Sequence, residues 1–106
     1  MLRVWISRIR AGKEARVRQW LAELTTRADE VRETFRDETV RAEQAFIIPG
    51  EGGPLLLYVI EAEDLEQGSR AFANSTHRID IEHKAVMREC LDEPLALRPL
   101  YDVTAQ

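Results

Sequence analysis

The stretch Pro49-Gly50-Glu51-Gly52-Gly53-Pro54 constrains this chain most. Glycine supplies positive φ and proline ends strand pairing, so these residues turn the chain and cannot extend it. A strand pattern stands on each side, over Thr39–Ile48 and Leu55–Ala62. The two runs predict an antiparallel hairpin. A hairpin needs partners and a cover, and the rest of the sequence must supply them.

Before the hairpin, Leu2–Ile9 reads as a strand with Leu2, Val4 and Ile6 on one face and Trp5, Ser7 and Ile9 on the other. A helix is expected from about Lys13 to about Phe35. Val17, Trp20, Leu21, Leu24, Ala28, Val31 and Phe35 recur there as one apolar stripe. Thr25-Thr26 is the place for a bend, because β-branched side chains lose rotamer freedom in a helix. After the hairpin, a short helix is expected from Asp64 to Phe72 or Ala73. Another runs from about Asp80 to Leu91, capped by Asp80 or Ser75, and an edge strand runs from Leu95 to Val103. The order is βαββαβ. It predicts one α+β domain over residues 1–106 of ferredoxin-like type, an antiparallel sheet with helices on one face.

In Leu55-Leu56-Leu57-Tyr58-Val59-Ile60 both faces are apolar, and the first strand behaves alike. A sheet covered on one side alone should alternate apolar with polar. The second face therefore calls for a cover, and 106 residues leave none to spare. A second copy of the sheet is the simplest, which predicts a homodimer. The bland alternative is a protomer with a modest exposed patch.

A net charge of −4, with bases interleaved among acids, argues against nucleic-acid binding. No apolar run approaches the roughly 20 residues of a membrane span, and the first residues lack the pattern of a signal peptide. The one cysteine, Cys90, cannot pair within the chain, which fits the cytoplasm. Cys90 itself reads as a buried, inert thiol, and Asn74-Ser75-Thr76 as a chance match to a glycosylation pattern.

Candidate chemistry centres on Ser75-Thr76-His77-Arg78-Ile79-Asp80-Ile81-Glu82-His83, which holds both histidines. Histidine alone has an unperturbed pKa near neutrality. In a continuous helix His77 and His83 would stand about 9 Å apart along the axis, too far to grip one ion with Asp80. With His77 in a loop, convergence becomes possible. Asp80 could orient His83 or His77 as a general base, with Glu43 as the acid partner. A metal site of His77, Asp80, His83 and Glu43 is a weaker reading, and no cofactor is assigned. Structurally, Asp80 would cap the helix, His83 would pack behind it, and His77 would face water. Glu43 lies opposite Phe46 and Ile48. There it is either a buried carboxylate with a perturbed pKa or the partner of Arg41, Arg3 or Arg98. Trp20 fits the core, while Trp5 and Tyr58 could wall a ligand cavity.

Nearly the whole chain resembles an uncharacterised bacterial family, a domain of unknown function, in the dimeric α+β barrel superfamily. The resemblance rests on Val17-Arg18-Gln19-Trp20-Leu21, on Glu43 with Phe46, on Ser75–Asp80 with His83, and on Glu89-Cys90-Leu91-Asp92. Arg78 and Val86-Met87 stand where the family pattern often has proline and aromatics. It implies a cavity between sheet and helices in each protomer. The wider superfamily includes cofactor-free monooxygenases, mutarotases and isomerases, which imply a small-molecule ligand by analogy of fold alone. The alternative function is a noncatalytic dimeric module whose His/Asp cluster is structural.

Overall fold

The computed structural model describes residues 1–105. The chain forms a mixed α+β fold in the order β1 (Leu2–Arg8), α1 (Glu14–Thr26), α2 (Ala28–Glu38), β2 (Val40–Ile48), β3 (Leu55–Ala62), α3 (Leu65–Asn74), α4 (Arg78–Cys90) and β4 (Leu95–Leu97). The four strands make one antiparallel sheet in the order β2-β3-β1-β4. Among the described residues no helix is long and apolar enough to cross a membrane.

The β2–β3 hairpin forms about the glycine-rich turn, where Gly52 and Gly53 take positive φ (79° and 128°). Alternation then sorts the sheet. Ser7, Leu56, Tyr58 and Ala62 are buried on one face, against all four helices. The core there joins Ile9, Leu56 and Tyr58 to Val17 and Trp20 of α1 and Ile79, Val86 and Cys90 of α4. On the other face the register sets apolar side chains in rows. One row is Phe46, Leu57, Ile6 and Leu95, and another is Val59, Val4 and Leu97, with polar Gln44 at its β2 end. Among the described residues no helix covers them.

Three expectations need correction. The long helix is two helices that break at Arg27 (φ −109°, ψ 31°). Thr25 and Thr26 cause this locally: their hydroxyls donate to the Leu21 and Glu23 carbonyls and compete with the helical ladder. Arg27 then binds the joint, with its guanidinium donating to Glu23, Glu30 and Glu82. The last strand is only Leu95–Leu97, at the sheet edge beside β1. Beyond it Leu100, Tyr101 and Val103 are exposed. Finally, α4 starts at Arg78, so Asp80 is inside it and caps nothing; His77 holds the N-cap position without a side-chain cap bond.

The end of α2 is unusual. Thr39 has a left-handed backbone (φ 57°), which β-branched residues rarely adopt. Asp64 holds it there. The Thr39 hydroxyl donates to the Asp64 carbonyl (3.0 Å) and accepts from the Asp64 amide (2.9 Å). A bulge follows between Val40 and Ala42. The extra residue sends Val40 and Glu43 to the same, helix-covered side, whereas simple alternation would separate them.

Candidate functional site

A cavity of about 220 Å³ lies between the sheet and the helices. It is smaller than the roughly 300–1,000 Å³ of drug-sized sites, so it suits a ligand of few heavy atoms. Its sheet wall is Arg3, Trp5, Glu43, Tyr58 and Ile60. Trp5 and Tyr58 are direct partners in the β1–β3 ladder, and their rings stack with centroids 4.7 Å apart. One row along, Ile60 stands between Arg3 and Glu43. The helices contribute Thr34, Phe35 and Glu38 from α2, Ser69 and Phe72 from α3, and Ile79, Asp80 and His83 from α4.

His83, Asp80 and Glu43 therefore meet at one cavity, as do Trp5 and Tyr58. His77 is not among the lining residues. Its Nε2 lies 2.9 Å from Asp37 Oδ2 on the surface, and that carboxylate raises the imidazole above its usual value. The expectation that Asp80 orients a histidine is also corrected. His83 is held by Trp20, whose indole Nε1–H donates to Nδ1 at 2.9 Å. Indole nitrogen only donates, so Nδ1 carries no proton and the neutral ring keeps its proton on Nε2. Among the described residues that Nε2–H has no acceptor. Edges and faces of Tyr58 and Phe72 surround the ring, with centroids 6.1 and 5.9 Å away. Burial lowers the pKa of His83 to about 4, so it is neutral over the physiological range.

The titrating groups are carboxyls instead. Burial, reinforced by Asp80, pushes Glu43 up to about 7. Burial, then the like charges of Asp80, Glu43 and Asp37, pushes Glu38 up to about 8. Among the described residues no Lys, Arg or His lies within ion-pair distance of Glu38, Glu43 or Asp80. The expected pairing of Glu43 with Arg41, Arg3 or Arg98 is thus not formed; Arg3 donates to Ser69 Oγ. Burial and then Glu43 hold the Tyr58 phenol well above its ordinary pKa. No group of three or more His, Cys, Asp or Glu among the described residues is arranged to hold a metal ion.

Glu38 is the residue that sequence reasoning passed over. It sits one turn beyond Thr34 and two beyond Val31, on the stripe that faces the core. An acid on an apolar stripe was the available signal. The many acids around it on α2 made it look like part of a solvated face.

No curated protein matches the chain. A family model does, over residues 2–105, almost its full length. The chain belongs to the DUF6176 family, a family of unknown function.

Proposed function

We propose that the protein binds a small polar organic molecule in this cavity and moves a proton on it, with Glu43 as the acid–base group. The observation that carries the reading is a pair of carboxyls lining one cavity walled by aromatics, half-buried Glu43 and buried Glu38, raised to about 7 and about 8. A group that titrates near the working pH both takes and returns protons efficiently, which contributes roughly 10²–10⁴-fold in rate. His83 serves as a neutral donor through Nε2–H rather than as a base, since its Nδ1 lone pair is engaged by Trp20. Asp80 supports the raised carboxyls electrostatically. Chemistry of this kind is isomerase-, mutarotase- or oxygenase-like.

The strand order β2-β3-β1-β4 supports a ferredoxin-like description. The uncovered apolar rows across the sheet support a homodimer in which two sheets pack face to face, as in dimeric α+β barrels. The acidic balance and the unpaired Cys90 support a cytoplasmic setting. The second reading, a noncatalytic dimeric module, draws on His77. Its pairing with Asp37 joins α4 to α2 on the surface and has a purely structural use.

Solvent exchange separates the two. Small carbonyl compounds that shift the resonances of Trp5 or His83 are incubated with the protein in deuterium oxide. Protein-dependent deuterium incorporation, lost in Glu43→Gln with binding retained, is the expected result. Binding with no exchange for any of them leaves the noncatalytic module, and no binding removes the site.

A further inference from the structure

We infer that the ligand of this cavity is a small organic cation, a protonated amine received by Glu38, Glu43 and Asp80. The inference rests on the cavity being a small-molecule site, as proposed above, and names the class of molecule. Glu38 and Asp80 are 7% and 6% exposed, and both line the cavity. With both acids ionised, Glu38 Oε2 and Asp80 Oδ2 have no hydrogen-bond donor among the described residues. Buried carboxylates do not stand together without positive charge between or beside them. The chain supplies none within ion-pair distance, since Arg3 is engaged with Ser69. Glu38 answers this by holding its own proton, with its pKa pushed up to about 8. A ligand ammonium carries the same charge, with two or three N–H donors for the same oxygens.

The walls choose among cations. A bare metal ion needs three or more converging ligands, and the described residues offer no such group. Trp5, Tyr58 and Phe72 instead present aromatic surface, which attracts organic cations through the ring faces and shelters an alkyl stem. An anion would meet the three carboxyls. A neutral molecule would bring no charge to the carboxylates and gain none of that attraction.

Three probes of nearly one shape test this: n-butylammonium, n-butanol and butyrate, each titrated against the full chain while the indole N–H signals of Trp5 and Trp20 are followed by NMR. The expected result is saturation by n-butylammonium at a concentration at least about tenfold below that of either other probe. Glu38→Gln and, separately, Asp80→Asn should erase that preference while the amide spectrum stays folded. If n-butanol or butyrate binds as well as the ammonium, the cationic class is wrong although the site stands. If none of the three moves either indole signal, both the class and the site fall. The wild-type comparison alone decides between these outcomes, whatever the variants do.

Discussion

Trp20 sets the chemistry of His83. Its N–H occupies Nδ1, so the imidazole is a donor where the sequence suggested a base. Trp20→Phe keeps the ring in the core and deletes that donor. It is expected to cost about 1–3 kcal/mol in urea unfolding, the usual penalty for a buried acceptor left unmatched. A stability unchanged from wild type would show that the bond orients nothing. The carboxyls make a second prediction. Unfolded, Glu38 and Glu43 titrate near 4.5; folded, near 8 and 7. Between these values the folded state holds protons that the unfolded state has lost, so stability falls as pH rises and levels off once both groups are ionised. His83 acts at the acid end: its folded value of about 4 lies below 6.5, so stability falls as pH drops through that window. From about pH 6 to about pH 8.5 the unfolding free energy should drop by on the order of 3 kcal/mol. The Glu38→Gln/Glu43→Gln double variant should lose most of that slope, keeping the small part due to the raised His77. An undiminished slope would exclude these two groups as its cause. Trp5, Tyr58 and His83 were legible as site candidates because the chain has only two Trp, two Tyr and two His, and Asp80 and Glu43 because of their places beside the histidines and in an apolar strand. Glu38 was not, because burial of one acid among many depends on how its helix docks.

Among the elements, α2 and α3 meet where the cavity is built. A Cβ placed on Gly68 of α3 would come 2.7 Å from the Glu38 carbonyl oxygen, a backbone atom that cannot swing away. Gly68 thus lets α3 approach the last turn of α2 and sets the position of the Glu38 side chain. Gly68→Ala should separate the two helices and destabilise the fold by about 1–3 kcal/mol, despite alanine's better helix propensity. Thermal unfolding checks this, and a rise in midpoint would mean that the approach is slack. The hairpin, the boundaries of β3 and the start of α3 near Asp64 were readable because glycine, proline and a helix-starting aspartate act within a few residues. Asp64 accepts from the Gln67 amide as an N-cap should. The bend at Thr25-Thr26 was readable, though not that it splits the helix at Arg27 with Glu82 bound across the joint. The bulge at Val40–Ala42 was not readable, because it depends on β3, distant in sequence. The bulge matters more, since it brings Val40 to the cavity wall that Glu43 shares.

At the scale of the molecule, one sheet face builds the cavity and the other is uncovered. Leu57 lies near the centre of the uncovered face, between Phe46 and Ile6. Leu57→Lys is expected to leave the protomer folded and to halve the mass found by sedimentation equilibrium, because burying an unpaired ammonium in a sheet-to-sheet interface is prohibitive. A wild-type protein that sediments as a monomer would refute the dimer and leave the cavity untouched, since the cavity lies on the opposite, helix-covered face of the sheet. The apolar character of that face was plain in the sequence. Its extent is smaller than the pattern suggests, because β4 stops at Leu97, short of Pro99. What the cavity does depends on carboxyls that hold protons near neutrality, and carbon-13 NMR reads this directly. With side-chain carboxyl signals assigned in the wild-type chain, Glu43 and Glu38 are expected to titrate near 7 and 8. Midpoints for both in the ordinary range near 4.5 would mean that the cavity is wet and uncommitted, and would contradict its use in proton transfer.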